Sequence, residues 1–310
     1  MIITLTCNPS VDQTVFVHSL KVGAVNRYHE PQLDPAGKGI NVSRVVHRLG
    51  WPTIAFGFLG GEIGDIVQRT LDGEGVQNHF ARVSGQTRVN VTIVDESTNA
   101  STSLYGPGPE VDPEHLQALE GILEYWIQPG SILVLAGSLP IGVREDIYAE
   151  LVRLAKGKGV RTILDADGDP LRAGVVEGPY LIKPNVQEAE RLLGRRLPDL
   201  ESVVQGCREL LRLGIEVVVV SMGAQGAVCV QGERAWRAFP PEVERRSTVG
   251  SGDSLVAGLA VATARGQSIV EGLRLGTAAG AATAMTVGTQ LGTAEEVRAL
   301  LPQVVVEELA

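Results

Sequence analysis

Residues 245–257 read RSTVGSGDSLVAG, with two glycines around a serine, then an aspartate, then a run of small apolar residues. A helix starting near Ser251–Asp253 leaves its first N–H groups without intrahelical partners and with partial positive charge. Gly250 and Gly252 let the backbone approach a ligand closely, which makes the turn an anion hole for a phosphoryl group. Asp253 beside that hole could take a proton from an attacking hydroxyl. An aspartate at this place also suits a plain helix cap. On these residues alone both readings stand.

Other clusters offer complementary chemistry. AGKGINVSRVVHRLG, 36–50, sets Lys38 between Gly37 and Gly39 with Asn41 two residues on, ahead of an amphipathic helix. That spacing suits close approach to an anionic ligand with an amide donor for hydroxyls, or a helix-start loop with a solvated lysine. YLIKPNVQEAE supplies Lys183, Asn185 and Glu188. Asn185 and Glu188 could share one hydrated Mg²⁺, or could form a capping box at a helix start. SMGAQG, 221–226, holds Gly223 and Gly226, which fit either a polyphosphate-binding turn or an ordinary hairpin. No G-x-x-x-x-G-K-[ST] loop occurs in the chain.

These residues need a scaffold. IITLTCNPSVD, TIAFGFLGG, SILVLAGSLP, RTILDADGD, YLIKPN and EVVVVSMGAQG are apolar runs ending in polar or glycine-rich clusters. Such runs fit strands buried on both faces of a parallel sheet. Helix-period segments separate them, including VSRVVHRLG, REDIYAELVRLAKGKG and LESVVQGCRELLRLG. The alternation predicts an α/β fold, whose ligands bind at the carboxyl ends of the strands. Two stretches break it: 14–28 and 87–106 alternate like half-exposed strands. In the second, Val89, Val91 and Ile93 share one face and Arg88, Asn90 and Thr92 the other. They fit a small β lid with a polar face toward a cleft, or an edge hairpin.

The bulk properties exclude some classes. The chain has 310 residues, 44% apolar and 20% charged, which suits a globular protein with a sizeable core. A net charge of −9 argues against nucleic acid or an anionic membrane as partner. Cys7, Cys207 and Cys229 are far apart and predict reduced, buried thiols. The N-terminus lacks the pattern of a signal peptide, so a cytoplasmic protein is expected. A nicotinamide-dependent oxidoreductase would need G-x-G-x-x-G after the first strand, where IITLTCNPSVD has no glycine. A non-catalytic sensor would be expected to lack Asp253 or the anion-hole glycines, and all are present.

Taken in order, the motifs resemble the ribokinase-like (PfkB) carbohydrate kinase family. AGKGINVS looks like its N-terminal signature and STVGSGDSLVAG its C-terminal one. NPSVD, TRVNV, GSLP, KPNVQE and SMGAQG fall in the family's order, so the resemblance runs from residue 3 to about 290. It implies one kinase domain over 1–310: a central, mostly parallel sheet flanked by helices, with lid strands inserted at about 14–35 and 87–106. It also implies transfer of the γ-phosphoryl group of ATP, with Mg²⁺, to a sugar-phosphate hydroxyl. AGKGINVSRV, QTRVNV and RSTVGSGDS point to the branch acting on fructose 1-phosphate; kinases of tagatose 6-phosphate are close relatives.

Carried over by position, the resemblance makes Asp253 the catalytic base and the backbone of Gly250, Ser251 and Gly252 the anion hole. Asp12 becomes a substrate-hydroxyl acceptor, and Gly37, Lys38, Gly39 and Asn41 the sugar-binding loop. Arg88 and Lys38, with Arg27 as a further candidate, grip the phosphate already on the substrate, and Ser138 lies near the sugar. Lys183, Ser221, Gly223 and Gly226 fall on the nucleotide side, with Asn185 and Glu188 near Mg²⁺. A homodimer through the lid strands is implied as well. Two positions depart from the family: Ser251 replaces a usual alanine and Ala36 a common glycine. Both are small, and the hole is made by backbone.

Overall fold

The apolar runs become strands because nothing in them can face water on either side. The computed structural model describes residues 1–98 and 100–309. The first strands are β1 Ile2–Thr6, β2 Ser10–Val17, β3 His29–Ala36, β4 Thr53–Leu59, β5 Gln77–Arg82, β6 Arg88–Asp95 and β7 Ala100–Leu104. Then come β8 Ile132–Ala136, β9 Arg161–Asp165, β10 Leu181–Ile182, β11 Val217–Ser221, β12 Ala227–Gln231, β13 Arg234–Phe239 and β14 Val305–Leu309. The earlier helices are α1 Lys38–Arg48, α2 Gly61–Gly73, α3 Pro113–Trp126, α4 Ile147–Gly157 and α5 Gly168–Val176. The later ones are α6 Val186–Leu193, α7 Leu200–Leu211, α8 Ser251–Ala264, α9 Ile269–Ala284 and α10 Ala294–Leu300.

A ten-stranded sheet runs β14-β13-β12-β11-β10-β9-β8-β1-β4-β5. From β11 to β5 every neighbouring pair is parallel, and β12 to β14 add an antiparallel edge. The six apolar runs are its contiguous middle. Successive side chains leave a strand on opposite faces. Accordingly Ile3, Leu5, Leu133, Leu135, Val218 and Val220 join the core under α3, α4 and α7. Ile2, Ile132, Val134, Val217 and Val219 join the core under α1, α8 and α9. Each fully buried Leu or Phe in these layers stabilises by about 2–3 kcal/mol, so the strand ends are held firmly. Helix α8 is buried from Asp253 through Thr263, which explains its small, apolar composition.

The second sheet has four strands in the order β3-β2-β6-β7, with β2 and β6 parallel and the other pairs antiparallel. It is the small sheet expected from 14–35 and 87–106, with one correction. The first strand begins at Ser10 and ends at Val17, and residues 18–28 form a connection. Gly23 there has φ 76°, and the Asn26 side chain binds the backbone of Lys21 and Ala24. Those side-chain bonds compete with a ladder, and the alternating pattern of 18–28 does not reveal them.

Cys7, Cys207 and Cys229 are buried and free, as expected for reduced thiols. Among the described residues, no helix is long and apolar enough to cross a membrane.

Candidate active site

Helix α8 starts on Gly250, whose φ of 78° is left-handed backbone that favours glycine. No side chain caps this helix. Gly250 is the cap residue, the Ser251 N–H donates to the Thr248 carbonyl at 3.4 Å, and Asp253 lies in the first turn, so Asp253 does not cap the helix. Its Oδ2 instead accepts a hydrogen bond from Asn41 Nδ2 at 2.8 Å. Burial, then the nearby charge of Asp165, pushes the Asp253 carboxyl up to about 6, against the pull of Lys38, Asn41 and Lys183. The Ser251 hydroxyl is buried without a partner and lines the same cleft.

Asp165, at the carboxyl end of β9, is the centre of the charge network. Its side chain is fully buried, 2.9 Å from Lys38 Nζ and 3.4 Å from Lys183 Nζ. Burial alone would raise its pKa, but Lys183 and Lys38 outweigh that and hold the carboxyl below its usual range. Lys38 is kept protonated above its ordinary range: burial opposes this, and Asp165, Glu188 and Asp253 override it. Glu188 Oε1 lies 3.8 Å from Lys38 Nζ. Three carboxyl groups thus converge on two ammonium groups, and Asp165 Oδ2 is buried with no partner at all. Sequence reasoning missed Asp165. The available signal was an acidic residue at the end of a parallel strand, where open α/β sheets bind ligands.

Asn185 and Glu188 form a true capping box. Asn185 Oδ1 accepts from the Glu188 N–H and Glu188 Oε2 from the Asn185 N–H, both at 2.8 Å. The two side chains therefore bind each other's backbone, and Glu188 Oε1 is left on the cleft side. The cleft has a volume of about 630 Å³ and is lined by Lys38, Lys183, Glu188, Gly252 and Asp253 at one end. Ser221, Gly223, Gly226, Pro240, Val243 and Thr277 line the rest. SMGAQG joins antiparallel β11 and β12, as the hairpin reading expects, and Ser221, Gly223 and Gly226 also border the cleft.

The glycines around Lys38 are explained by packing. A Cβ on Gly39 would lie 2.5 Å from Thr6 Oγ1 and 2.8 Å from the Leu5 carbonyl oxygen. Only glycine lets α1 start against the end of β1. Lys38 itself shares Asp165 with Lys183. Arg88 is elsewhere, donating to the carbonyls of Asn8 at 3.0 Å and Gly106 at 3.1 Å. On the small sheet, Asp12 accepts from Asn90 at 2.8 Å and from Ser10 at 2.9 Å. Burial raises the Asp12 pKa, moderated by Ser10, Asn90 and Arg88. Arg27 is exposed on the β2–β3 connection and Ser138 is exposed in the turn after β8, and neither lines the cleft.

A parallel α/β sheet, an uncapped helix with a raised carboxyl, and two lysines lining one cleft are the parts that a phosphoryl-transfer site needs. The chain belongs to the pfkB family carbohydrate kinases, whose family model matches residues 6–296. It is 38% identical over 264 residues to the 1-phosphofructokinase of Xanthomonas campestris pv. campestris, covering 84% of this chain and 83% of that protein. Phosphofructokinase-2 of Escherichia coli, solved with substrates and products, superposes with a TM-score of 0.93 at 32% identity, over 97% of this chain and 98% of that one. The same enzyme solved with fructose-6-phosphate gives 0.91 at 31% identity, again over 97% and 98%. The ribokinase-like expectation therefore holds, and the chain is an ATP-dependent sugar-phosphate kinase.

Proposed function

We propose that this kinase phosphorylates fructose 1-phosphate at its 6-hydroxyl, giving fructose 1,6-bisphosphate and ADP. The observation that carries the chemistry is Asp253: buried, uninvolved in capping, and raised to about 6 beside an open helix N-terminus. A base with a pKa near the working pH combines the right protonation state with a real driving force. The choice of substrate rests on the 38% identity to a 1-phosphofructokinase.

In this reading the sugar 6-hydroxyl gives its proton to an Asp253 carboxylate oxygen as its own oxygen bonds the γ-phosphorus. The bond from that phosphorus to the β–γ bridging oxygen of ATP breaks, and ADP leaves. N–H groups of the Gly250–Gly252 turn and the first turn of α8 receive charge developing on the transferred group, helped by the Ser251 hydroxyl. Lys38 and Lys183 neutralise phosphate oxygens from the side of Asp165. Phosphoryl transfer needs this positioning and charge compensation more than covalent catalysis. Mg²⁺ fits the site, because carboxyl groups outnumber ammonium groups and Asp165 Oδ2 lacks a partner. Asp165 and Glu188 would hold it, with Asn185 fixing Glu188 through the capping box, and the ion would supply further charge neutralisation.

Asp12, oriented by Asn90, accepts a sugar hydroxyl; Gly37, Gly39 and Asn41 shape the sugar loop; Arg88 takes the substrate's existing phosphate. Ser221, Gly223 and Gly226 contact the nucleotide phosphates. The lid leaves Leu33 56% and Leu104 59% exposed, which supports a homodimer closed lid to lid. Light scattering of Leu33→Asp beside wild type tests that assembly, and an unchanged mass would refute it.

A second reading is phosphorylation of fructose 6-phosphate at its 1-hydroxyl, favoured by the likeness to phosphofructokinase-2 solved with that sugar. Tagatose 6-phosphate presents the same arrangement. All three carry phosphate and acceptor hydroxyl at opposite ends of one ketose. Steady-state ADP release with each sugar decides: the highest kcat/KM should fall on fructose 1-phosphate, and a higher value for either 6-phosphate overturns that choice.

A further inference from the structure

The lid carries a cluster that phosphoryl transfer does not use. His18 follows β2, His29 opens β3 and Glu96 follows β6. The strand register brings them to one corner: Phe16 pairs with His29 and Val17 with Asp95. Beyond the ladder, Glu96 N–H donates to the Val17 carbonyl at 3.0 Å and Ser97 N–H to the His18 carbonyl at 3.1 Å. His18 Nδ1 lies 2.8 Å from Glu96 Oε2, and His29 Nε2 lies 3.2 Å from Glu96 Oε1. The three ligand atoms lie within 4.8 Å of one another, and the two imidazole rings are 4.9 Å apart.

We propose that His18, His29 and Glu96 form a binding site for a borderline divalent cation of the Zn²⁺, Co²⁺ and Ni²⁺ class. Two imidazoles with one carboxylate are the donor set such ions take, with water completing the coordination. Metal–nitrogen bonds are only about 2.0–2.1 Å, so the three groups must draw together around the ion. The His18 side chain is 90% exposed and free to do so. Charge also favours a dication, since Glu96 and its chain neighbour Asp95 bring two carboxyl groups to this corner. Mg²⁺ does not compete, because it selects oxygen donors in octahedral geometry. A bound ion would pin the base of the 18–28 connection to the turn after β6. That connection carries Val22 and Val25, which are 97% and 88% exposed. The site therefore couples a transition-metal ion to the order of this segment of the lid.

The test uses the full chain in excess Mg²⁺, which keeps the carboxyl groups of the cleft supplied with their preferred ion. Zn²⁺ affinity is measured by competition with a chromophoric chelator, and Co²⁺ absorption spectra report nitrogen ligation. One equivalent should bind per chain. His18→Ala and His29→Ala should each weaken it by more than the about 10- to 100-fold that loss of an outer-shell partner costs, and His79→Ala on β5 should leave it unchanged. Zn²⁺ should also protect 18–28 from limited proteolysis in wild type only, and imidazole ¹⁵N shifts should mark His18 and His29. Equal Zn²⁺ affinity in wild type and both histidine variants would overturn the proposal. So would Co²⁺ spectra of wild type without nitrogen ligation.

Discussion

Asn41 Nδ2 donates to Asp253 Oδ2 at 2.8 Å, joining the first turn of α1 to the first turn of α8 across 212 residues of chain. The two most recognisable motifs of the sequence are thereby one structure. Asn41, expected to contact sugar hydroxyls, also orients the proposed base and stabilises its ionised form.

That bond has a measurable consequence in pH. It lowers the Asp253 pKa, while burial and Asp165 raise it to about 6. Asn41→Ala removes the lowering contribution, so the acid limb of kcat/KM should move to higher pH. Activity well above that limb should recover most of its wild-type value. A profile that merely scales down without shifting would show that Asn41 acts on substrate alone.

Asp165 should behave in the opposite sense to Asp253. Its folded pKa is depressed by Lys183 and Lys38, so it contributes stability above its unfolded pKa, and that stability is lost as pH falls through the folded value. Asp165→Asn leaves the buried Lys183 ammonium without its carboxylate and Lys38 with only Glu188 at 3.8 Å, and should cost about 3–5 kcal/mol at neutral pH. Urea unfolding of the variant across pH should show the deficit shrinking in acid, and kcat should fall along with stability.

Gly250 tests the anion hole separately from the base. Its φ of 78° strains any other residue, and a Cβ there would lie 2.8 Å from Leu291 Cδ2. Gly250→Ala should cost about 1–2 kcal/mol in stability from the left-handed backbone alone. It should lower kcat more than the KM for ATP, because the displaced N–H groups serve charge that develops during transfer. Equal losses in both constants would place the turn in ground-state nucleotide binding.

Much of this was legible in the chain. The six apolar runs form the contiguous parallel core because burial on both faces demands continuous Val, Ile and Leu. Gly250 and Asp253 stayed ambiguous in their own stretch, because a glycine turn before a small-residue helix suits a cap as well as an anion hole; only the order of all the motifs favoured the second. Asp165 could not be read, since a carboxylate ending RTILD carries no local pattern and gains meaning only when Lys38 and Lys183 arrive from distant segments. Asn185 and Glu188 were ambiguous for a physical reason: a capping box and a metal-ligand pair use the same spacing. The small sheet was legible as alternation but not in its limits, because the Asn26 side-chain bonds that hold 18–28 out of the sheet leave no periodic trace.

The central claim is that Asp253 takes the proton, and Asp253→Asn tests it most directly. The variant keeps the shape of the site and loses the base. Coupled ADP release with Mg-ATP and fructose 1-phosphate should show kcat down by about 10²–10⁴-fold with the KM for ATP little changed. The fold should not suffer: ionising a carboxyl whose pKa is raised from 3.8 to about 6 costs up to about 3 kcal/mol, which the variant is spared above pH 6 and not below pH 4. A variant that is inactive yet at least as stable as wild type at neutral pH meets both expectations. A variant that turns over at the wild-type rate would contradict the assignment of the base.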